Sequence, residues 1–389
     1  MKNFKIKTLN NISHKGLDLL PQNFQVDGSY EDPDAILVRS ADMHDYEFSP
    51  ETLYIGRAGA GVNNIPIERC SEEGVLVCNA PGGNANAVKE LTLTALLLSS
   101  RKIVEGIEWT QSLKGKEDIG KLVEAGKKQF VGPELLGKKL GVIGLGATGQ
   151  LVSTVGLDLG MKVYGHDPYI SLRNALHLNS KVQYVDDVRD LFKQCDYITL
   201  HIPKTKDTLG FVSEELLSIA KEGLRLINIA RGGLVDTLAL RKALEEGRVA
   251  KYVIDFPDEE TLNLPNTINI PHLGASTPES EENSAIMVVN QMMDYLINGN
   301  IKNSVNFPDC DLGVCNSVHR VTVSHRNMPN MIGQITAILA EEGLNISDLL
   351  NRHRGEWAYT MVDIDSEVRD CLGEKLRAIE GVVRVRLIK

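Results

Sequence analysis

The sequence predicts an α/β protein: parallel sheets with helices on their faces, followed by a smaller module of strand, helix, strand, strand, helix, strand order. Three observations carry this. Short apolar runs alternate with helix-length amphipathic segments over most of the chain, the pattern of a sheet covered on both faces. A glycine-rich turn, GLGATG at 144–149, joins one such run to a helical segment. The stretch 318–389 leaves the alternation for a βαββαβ order that reads as a ferredoxin-like module.

The apolar runs are AILV (35–38), KLGVIG (139–144), KVYG (162–165), CDYITLHI (195–202), LRLINIA (224–230), YVID (252–255) and TINI (267–270). Helix-period segments span Gly149 to Leu159, Ser213 to Lys221 and Asp236 to Gly247. After the turn Gly82-Gly83-Asn84, one long helix is expected from Val88 to about Trp109. A second, Ser280 to Leu296, precedes the proline turn Val305 to Asp309. The terminal module reads as strands Arg320–Ser324, Ile346–Arg352, Ala358–Asp365 and Val382–Ile388, with helices Met331–Glu342 and Ser366–Ile379. The expected domains are 1–84 completed by 279–312, an inserted 85–278, and 318–389.

A chain of 389 residues holds two or three domains at one per roughly 150. With 42% of residues apolar and 24% charged, it is globular and not disordered. Lys plus Arg (42) against Asp plus Glu (52) leaves a net charge of −10, which repels nucleic acid and anionic lipid and argues against either as a partner. The cysteines Cys70, Cys78, Cys195, Cys310, Cys315 and Cys371 form no CxxC pair. They read as reduced thiols, with no metal site expected. The start, MKNFKIKTLN, lacks an apolar core, and the oiliest stretch, Leu91 to Leu98, is interrupted by Thr92 and Thr94; a cytoplasmic location is expected.

GLGATG gains weight from its context. An apolar run precedes it, a helical segment follows, and Asp167 ends the next run, eighteen residues beyond Gly149. Gly144 allows the tight turn, Gly146 the close approach of a pyrophosphate to the helix N-terminus, and Gly149 close helix packing. Asp167 would accept hydrogen bonds from ribose hydroxyls and repel a 2′-phosphate, favouring NAD over NADP. Three further strand ends carry chemistry: Asn228-Ile229-Ala230-Arg231-Gly232-Gly233, Asp255-Phe256-Pro257-Asp258-Glu259-Glu260 and Pro271-His272-Leu273-Gly274-Ala275-Ser276-Thr277. An arginine for a carboxylate and keto oxygen, with a histidine as acid/base, is what hydride transfer at a 2-hydroxy acid needs.

At this point the chain resembles the D-isomer-specific 2-hydroxyacid dehydrogenase family, through VRSA (38–41), GRAGAGVNN (56–64), NAPGGN (79–84), GLGATG, NIARGGLVD (228–236) and PHLGAST (271–277). The resemblance implies two doubly wound, Rossmann/flavodoxin-like domains and NAD as cofactor. It makes Arg231 the substrate clamp, His272 the general acid/base, and a glutamate the partner of the imidazole. The family commonly reads DVFxxEP, one residue longer than here, so Glu259 or Glu260 could be that partner; keeping the F-P-x-E register selects Glu259.

The resemblance also places cofactor contacts at Ala60, Gly144, Gly146, Ala147, Thr148, Gly149, Asp167, Ile202, Pro203, Ile229, Ala230, Arg231, Asp255, His272, Gly274 and Ala275. Ala147-Thr148 stands where the family often has Arg-Ile, so one charged contact is missing.

Arg39, Ser40, Arg57, Gly59, Gly61 and Asn84 look like the segments that bind substrate in members oxidising 3-phospho-D-glycerate to 3-phosphohydroxypyruvate, the first step of L-serine synthesis. Lys128 resembles a basic position that reaches a neighbouring subunit's substrate. Residues 318–389 resemble an ACT domain, in which His325, Asn327 and Asn345 match positions that bind an L-serine effector; the usual glycine after the proline is Asn330 here. A cleft closed by a hinge and a homodimer or homotetramer are implied. A glyoxylate/hydroxypyruvate or other D-2-hydroxyacid reductase remains open, as does an NAD-sensing, corepressor-like binding protein.

Overall fold

The computed structural model describes residues 2–369 and 371–388, the side chain of Arg173 excepted. It divides into two compact units, Met1–Asn84 with Pro278–Lys389, and Ala85–Thr277.

The first unit contains two sheets. Strands β1 (Phe4–Leu9), β2 (Phe24–Val26), β3 (Ala35–Val38), β4 (Tyr54–Arg57) and β5 (Leu76–Asn79) pair in the order β2-β1-β3-β4-β5, all in parallel. Alternate side chains serve opposite faces. Ile36, Val38, Ile55 and Val77 pack in one core, while Ala35, Leu37, Tyr54 and Leu76 pack in another that includes Val288, Val289, Met292 and Tyr295 of helix Pro278–Asn298. Both faces are covered, which is why AILV reads as an unbroken apolar run.

The order of these strands reverses between β1 and β3, the point at which ligands bind in open parallel sheets. Asn10 follows β1 there and Arg39 follows β3.

The second unit holds strands β6 (Lys139–Ile143), β7 (Lys162–His166), β8 (Gln183–Tyr184), β9 (Tyr197–Leu200), β10 (Leu224–Asn228), β11 (Val249–Ile254) and β12 (Thr267–Asn269), in the order β12-β11-β10-β9-β6-β7-β8. They are parallel throughout. The reversal here lies between β6 and β9, so the loops after Ile143 and Leu200 flank it.

The long helix expected from Val88 to Trp109 is two helices, Ala85–Ser100 and Ile103–Gln111. Arg225 Nε donates to the Ser99 carbonyl at 3.0 Å, and the Ser99 and Ser100 hydroxyls bond back to Leu96 O at 2.9 and 2.7 Å. These contacts draw the last turn's polar groups away from a continuing helical ladder.

In the first unit, β13 (His319–Arg326), β14 (Ile346–Arg354), β15 (Trp357–Ile364) and β16 (Val382–Ile388) form an antiparallel sheet, order β14-β15-β13-β16. One face, with Val321, Val323, Val362 and Ile364, packs on helices Met331–Glu341 and Leu372–Arg377. Through Tyr359 and Met361, the other face enters the core of the five-stranded sheet. The sequence reading begins a third domain at residue 318; the module has a core of its own and also contributes Tyr359 and Met361 to the core of the five-stranded sheet. The expected helix Ser366–Ile379 is reduced to Leu372–Arg377.

No helix among the described residues is long and apolar enough to cross a membrane.

Candidate active site

The glycine turn of the second unit has the geometry its sequence implies. Gly144 lies at φ +91°, where a Cβ would stand 2.6 Å from His201 O. A Cβ on Gly149 would meet Gly144 O at 1.9 Å, so helix Ala147–Asp158 can sit this close to the strand only with glycine there. Gly146 faces open space, leaving room for a phosphate oxygen to approach the helix N-terminus.

Asp167 is fixed at the end of β7. Its Oδ2 accepts from Leu145 N at 2.9 Å and its Oδ1 from Tyr169 N at 3.0 Å. These residues fit the diphosphate and ribose of a dinucleotide. Thr148 lies half-buried in the helix's first turn and Ala147 is exposed.

Arg231 is positioned by Asn228, a residue to which the sequence assigned no role. Buried at the end of β10, Asn228 accepts from Ala230 N (3.2 Å) and Arg231 N (3.3 Å) and donates to Arg231 O (2.8 Å). The Arg231 guanidinium donates to Ala230 O at 2.7 Å and lies 5.5 Å from the centre of the Phe256 ring. Burial lowers its pKa, yet an arginine remains charged at any working pH.

His272 lies against the same ring, at 4.4 Å between centroids and 47° between planes. Phe256 thus joins the two expected catalytic residues. An aromatic after Asp255 is visible in the sequence, but its role depends on three strand ends meeting.

The His272 backbone is in the left-handed region, φ +55°, a conformation uncommon for residues other than glycine. Asp255 holds it there. Its buried carboxylate accepts from Leu273 N at 2.7 Å and Gly274 N at 2.8 Å. Burial raises the Asp255 pKa, opposed by those two hydrogen bonds and by the charge of His272. With both oxygens on the loop that carries His272, Asp255 acts as a positioning residue.

Glu259 and Glu260 occupy the exposed first turn of helix Glu259–Leu262, capped by Asp258 and Thr261. Among the described residues neither carboxylate is hydrogen-bonded to His272. The structure brings Arg231 and His272 together on Phe256, with the carboxylate of Asp255 hydrogen-bonded to the His272 loop.

In the first unit, β3 and β4 are in register at Val38 and Arg57, so Arg39 emerges beside Arg57 at one edge of the sheet. Asn10 Oδ1 receives the backbone N–H groups of Arg39, Ser40 and Ala41 at 3.3, 3.1 and 2.8 Å. The Arg39 guanidinium pairs with Glu281 at 2.6 Å. Arg57 folds over Gly59, where a Cβ would lie 1.6 Å from its Nη1. The Gly59–Gly61 loop is tied to the end of β5 by Asn79 Nδ2 to Ala60 O (2.5 Å) and Ala80 N to Gly59 O (3.0 Å). Asn84 is half-buried just before helix Ala85–Ser100, and Lys128 is exposed in the turn Lys127–Phe130.

Of the expected effector residues, His325 has both ring nitrogens bonded within the protein. It is buried in β13, with Nδ1 at 2.8 Å from Arg326 O and Nε2 at 2.9 Å from Thr360 Oγ1. Both ring nitrogens are engaged inside the sheet, and burial lowers the pKa, so the ring is a structural part of the sheet in this arrangement. Asn327 and Asn345 are exposed. Asn330 adopts φ +64°, the left-handed conformation for which glycine was expected, and its side chain sits over Gly333. No group of three or more His, Cys, Asp or Glu residues that could hold a metal ion occurs among the described residues.

Comparison with known proteins decides the family. Residues 93–274 match the NAD binding domain of the D-isomer specific 2-hydroxyacid dehydrogenases. The D-3-phosphoglycerate dehydrogenase of Haemophilus influenzae is 31% identical over 360 residues, covering 88% of this chain and 82% of that protein. The chain belongs to the D-isomer specific 2-hydroxyacid dehydrogenase family.

Another member of this family, the D-3-phosphoglycerate dehydrogenase of Methanocaldococcus jannaschii, is 35% identical over 347 residues, 86% of this chain. The chain spans only 62% of that relative's length. Among solved structures, an NAD+-bound 3-phosphoglycerate dehydrogenase from Entamoeba histolytica aligns with a TM-score of 0.61 and 26% identity, over 78% of this chain and 99% of its own. The fold is that of the 2-hydroxyacid dehydrogenases, and the second unit is their NAD-binding domain.

Proposed function

We propose that this 2-hydroxyacid dehydrogenase oxidises 3-phospho-D-glycerate to 3-phosphohydroxypyruvate with NAD, and catalyses the reverse reduction. The observation that carries the substrate choice is the pair Arg39 and Arg57 on adjacent strand ends, beside the sheet's order reversal. On a chain of net charge −10, two guanidinium groups at such an edge suit a doubly charged phosphate. Similarity to D-3-phosphoglycerate dehydrogenases supports the same reading.

Gly144, Gly146 and Gly149 would hold the cofactor diphosphate and Asp167 the ribose. When bound, NAD supplies the hydride acceptor. Arg231 holds the substrate carboxylate and stabilises charge on the C2 oxygen. In the oxidative direction neutral His272 takes the C2 hydroxyl proton; in the reductive direction its imidazolium returns it. Asp255 and Asn228 keep both side chains in place, and Phe256 offers its face to either cation.

The terminal module is read as ACT-like, with His325, Asn327 and Asn345 the positions for an L-serine effector. A second copy of the chain would cover helix Ile103–Gln111, which has no buried residue and exposes Ile103 and Ile107.

NADH oxidation tests the proposal, with 3-phosphohydroxypyruvate compared against hydroxypyruvate, glyoxylate and 2-oxoglutarate, with and without L-serine. A kcat/KM about a hundredfold higher for the phosphorylated acid, roughly 2.7 kcal/mol of transition-state discrimination, is expected. Equal or better use of an unphosphorylated acid moves the function to a general hydroxyacid reductase.

A further inference from the structure

The Arg39 side chain has a resting partner within its own unit. Its backbone is anchored, because Asn10 Oδ1 gathers the N–H groups of residues 39, 40 and 41. Among the described residues its guanidinium pairs with one acid, Glu281, at 2.6 Å. Both side chains are about two-fifths exposed, so water screens the pair and the link is a weak one.

Glu281 lies in the first turn of the 21-residue helix Pro278–Asn298. A carboxylate there is stabilised by the positive end of the helix whether or not a cation faces it. Losing Arg39 therefore costs Glu281 little. A phosphate monoester, carrying about −1.5 to −2 charges with three acceptor oxygens, outcompetes a carboxylate of one charge for the same guanidinium. An uncharged hydroxymethyl group in the same place does not.

We propose that Glu281 is a specificity-determining residue that competes for Arg39, so that only a doubly charged substrate group takes the guanidinium over. Resting on the assignment of Arg39 to the substrate phosphate, this inference adds a selectivity filter to it. Glu281 touches no reacting atom; it acts through Arg39 on substrate affinity and leaves the chemical step alone.

The test is Glu281→Gln in the full chain, with Glu281→Ala as a second variant and thermal melting to verify folding. KM for 3-phosphohydroxypyruvate and the inhibition constant of inorganic phosphate should each fall about two- to fivefold, the range of an exposed ion pair. kcat should hold, as should KM for hydroxypyruvate. On an Arg39→Ala background, Glu281→Gln should change nothing further. If Arg39→Ala raises KM for the phosphorylated acid while Glu281→Gln leaves it unmoved, the competition is disproved and the phosphate assignment stands. An equal fall for hydroxypyruvate also overturns it. If Arg39→Ala itself has no effect on the phosphorylated substrate, both the assignment and this inference are lost.

Discussion

At the residue scale, burial sets the charge of groups that the reaction does not use. The His201 imidazole, beside the glycine turn and within 3.0 Å of Thr199 Oγ1, is pushed down by burial to about 4. Because the folded chain binds fewer protons there than the unfolded one, stability is present above the ordinary histidine value of 6.5 and lost as pH falls from 6.5 towards 4. His201→Gln should flatten this slope, measured as a smaller loss of urea midpoint between pH 7 and pH 5 than the parent shows. A slope identical to the parent's would assign the acid sensitivity to other groups.

Much of the site was legible residue by residue. Glycines at 144, 146 and 149 and the strand-end Arg231 and His272 announce themselves by type and spacing. Asn10 and Phe256 did not, since each acts through backbone or ring contacts that exist only once separate strand ends converge; Asn228 acts within its own turn, whose backbone geometry the residue type alone does not give. Nor does the motif around His325 reveal that both ring nitrogens are engaged within the sheet.

At the scale of elements, the end of helix Pro278–Asn298 explains how the terminal sheet is attached. A helix leaves its last carbonyls without partners. Arg386 donates to Tyr295 O and Leu296 O, both at 3.0 Å, Arg320 to Asn298 O at 2.8 Å, and Tyr359 to Gly299 O at 2.8 Å. Arg320 is fully buried and also forms a two-point pair with Asp363, at 2.5 and 2.8 Å.

Arg320→Ala would leave Asp363 charged, buried and unpaired, at a cost of about 3–5 kcal/mol. Urea denaturation should show that loss. Converting both residues to apolar ones of similar size should restore much of it. A loss below about 1 kcal/mol for Arg320→Ala would mean that water reaches the pair. None of this was legible in sequence, where nothing marks which arginines face the helix end.

At the scale of the whole molecule, both parallel sheets were readable because covering a sheet on two faces forces apolar runs of strand length. Their strand orders followed from the resemblance and not from any local pattern. The sequence could not show that the βαββαβ module shares a core with the first sheet: Tyr359 and Met361 alternate with Thr360 and Val362 as in any strand, and what lies beyond that face is a tertiary fact. Net charge behaves similarly. A total of −10 speaks against anionic partners in general, whereas the ligand chemistry proposed here depends on where two arginines lie.

The left-handed backbone of His272 has a practical corollary. Alanine at that position deletes the imidazole and keeps the conformational penalty, about 1–2 kcal/mol for an L-residue, so a loss of activity mixes chemistry with a disturbed loop. Glycine is at ease at φ +55°. His272→Gly should melt at or above His272→Ala, retain NAD binding by calorimetry, and lower turnover by about 10²–10⁴-fold. It also vacates the space beside Phe256, so imidazole added from solution should restore part of the rate, with a dependence on its protonated fraction in the reductive direction. A glycine variant with near-normal turnover, or one indifferent to added imidazole and its ionisation, would remove proton transfer from His272.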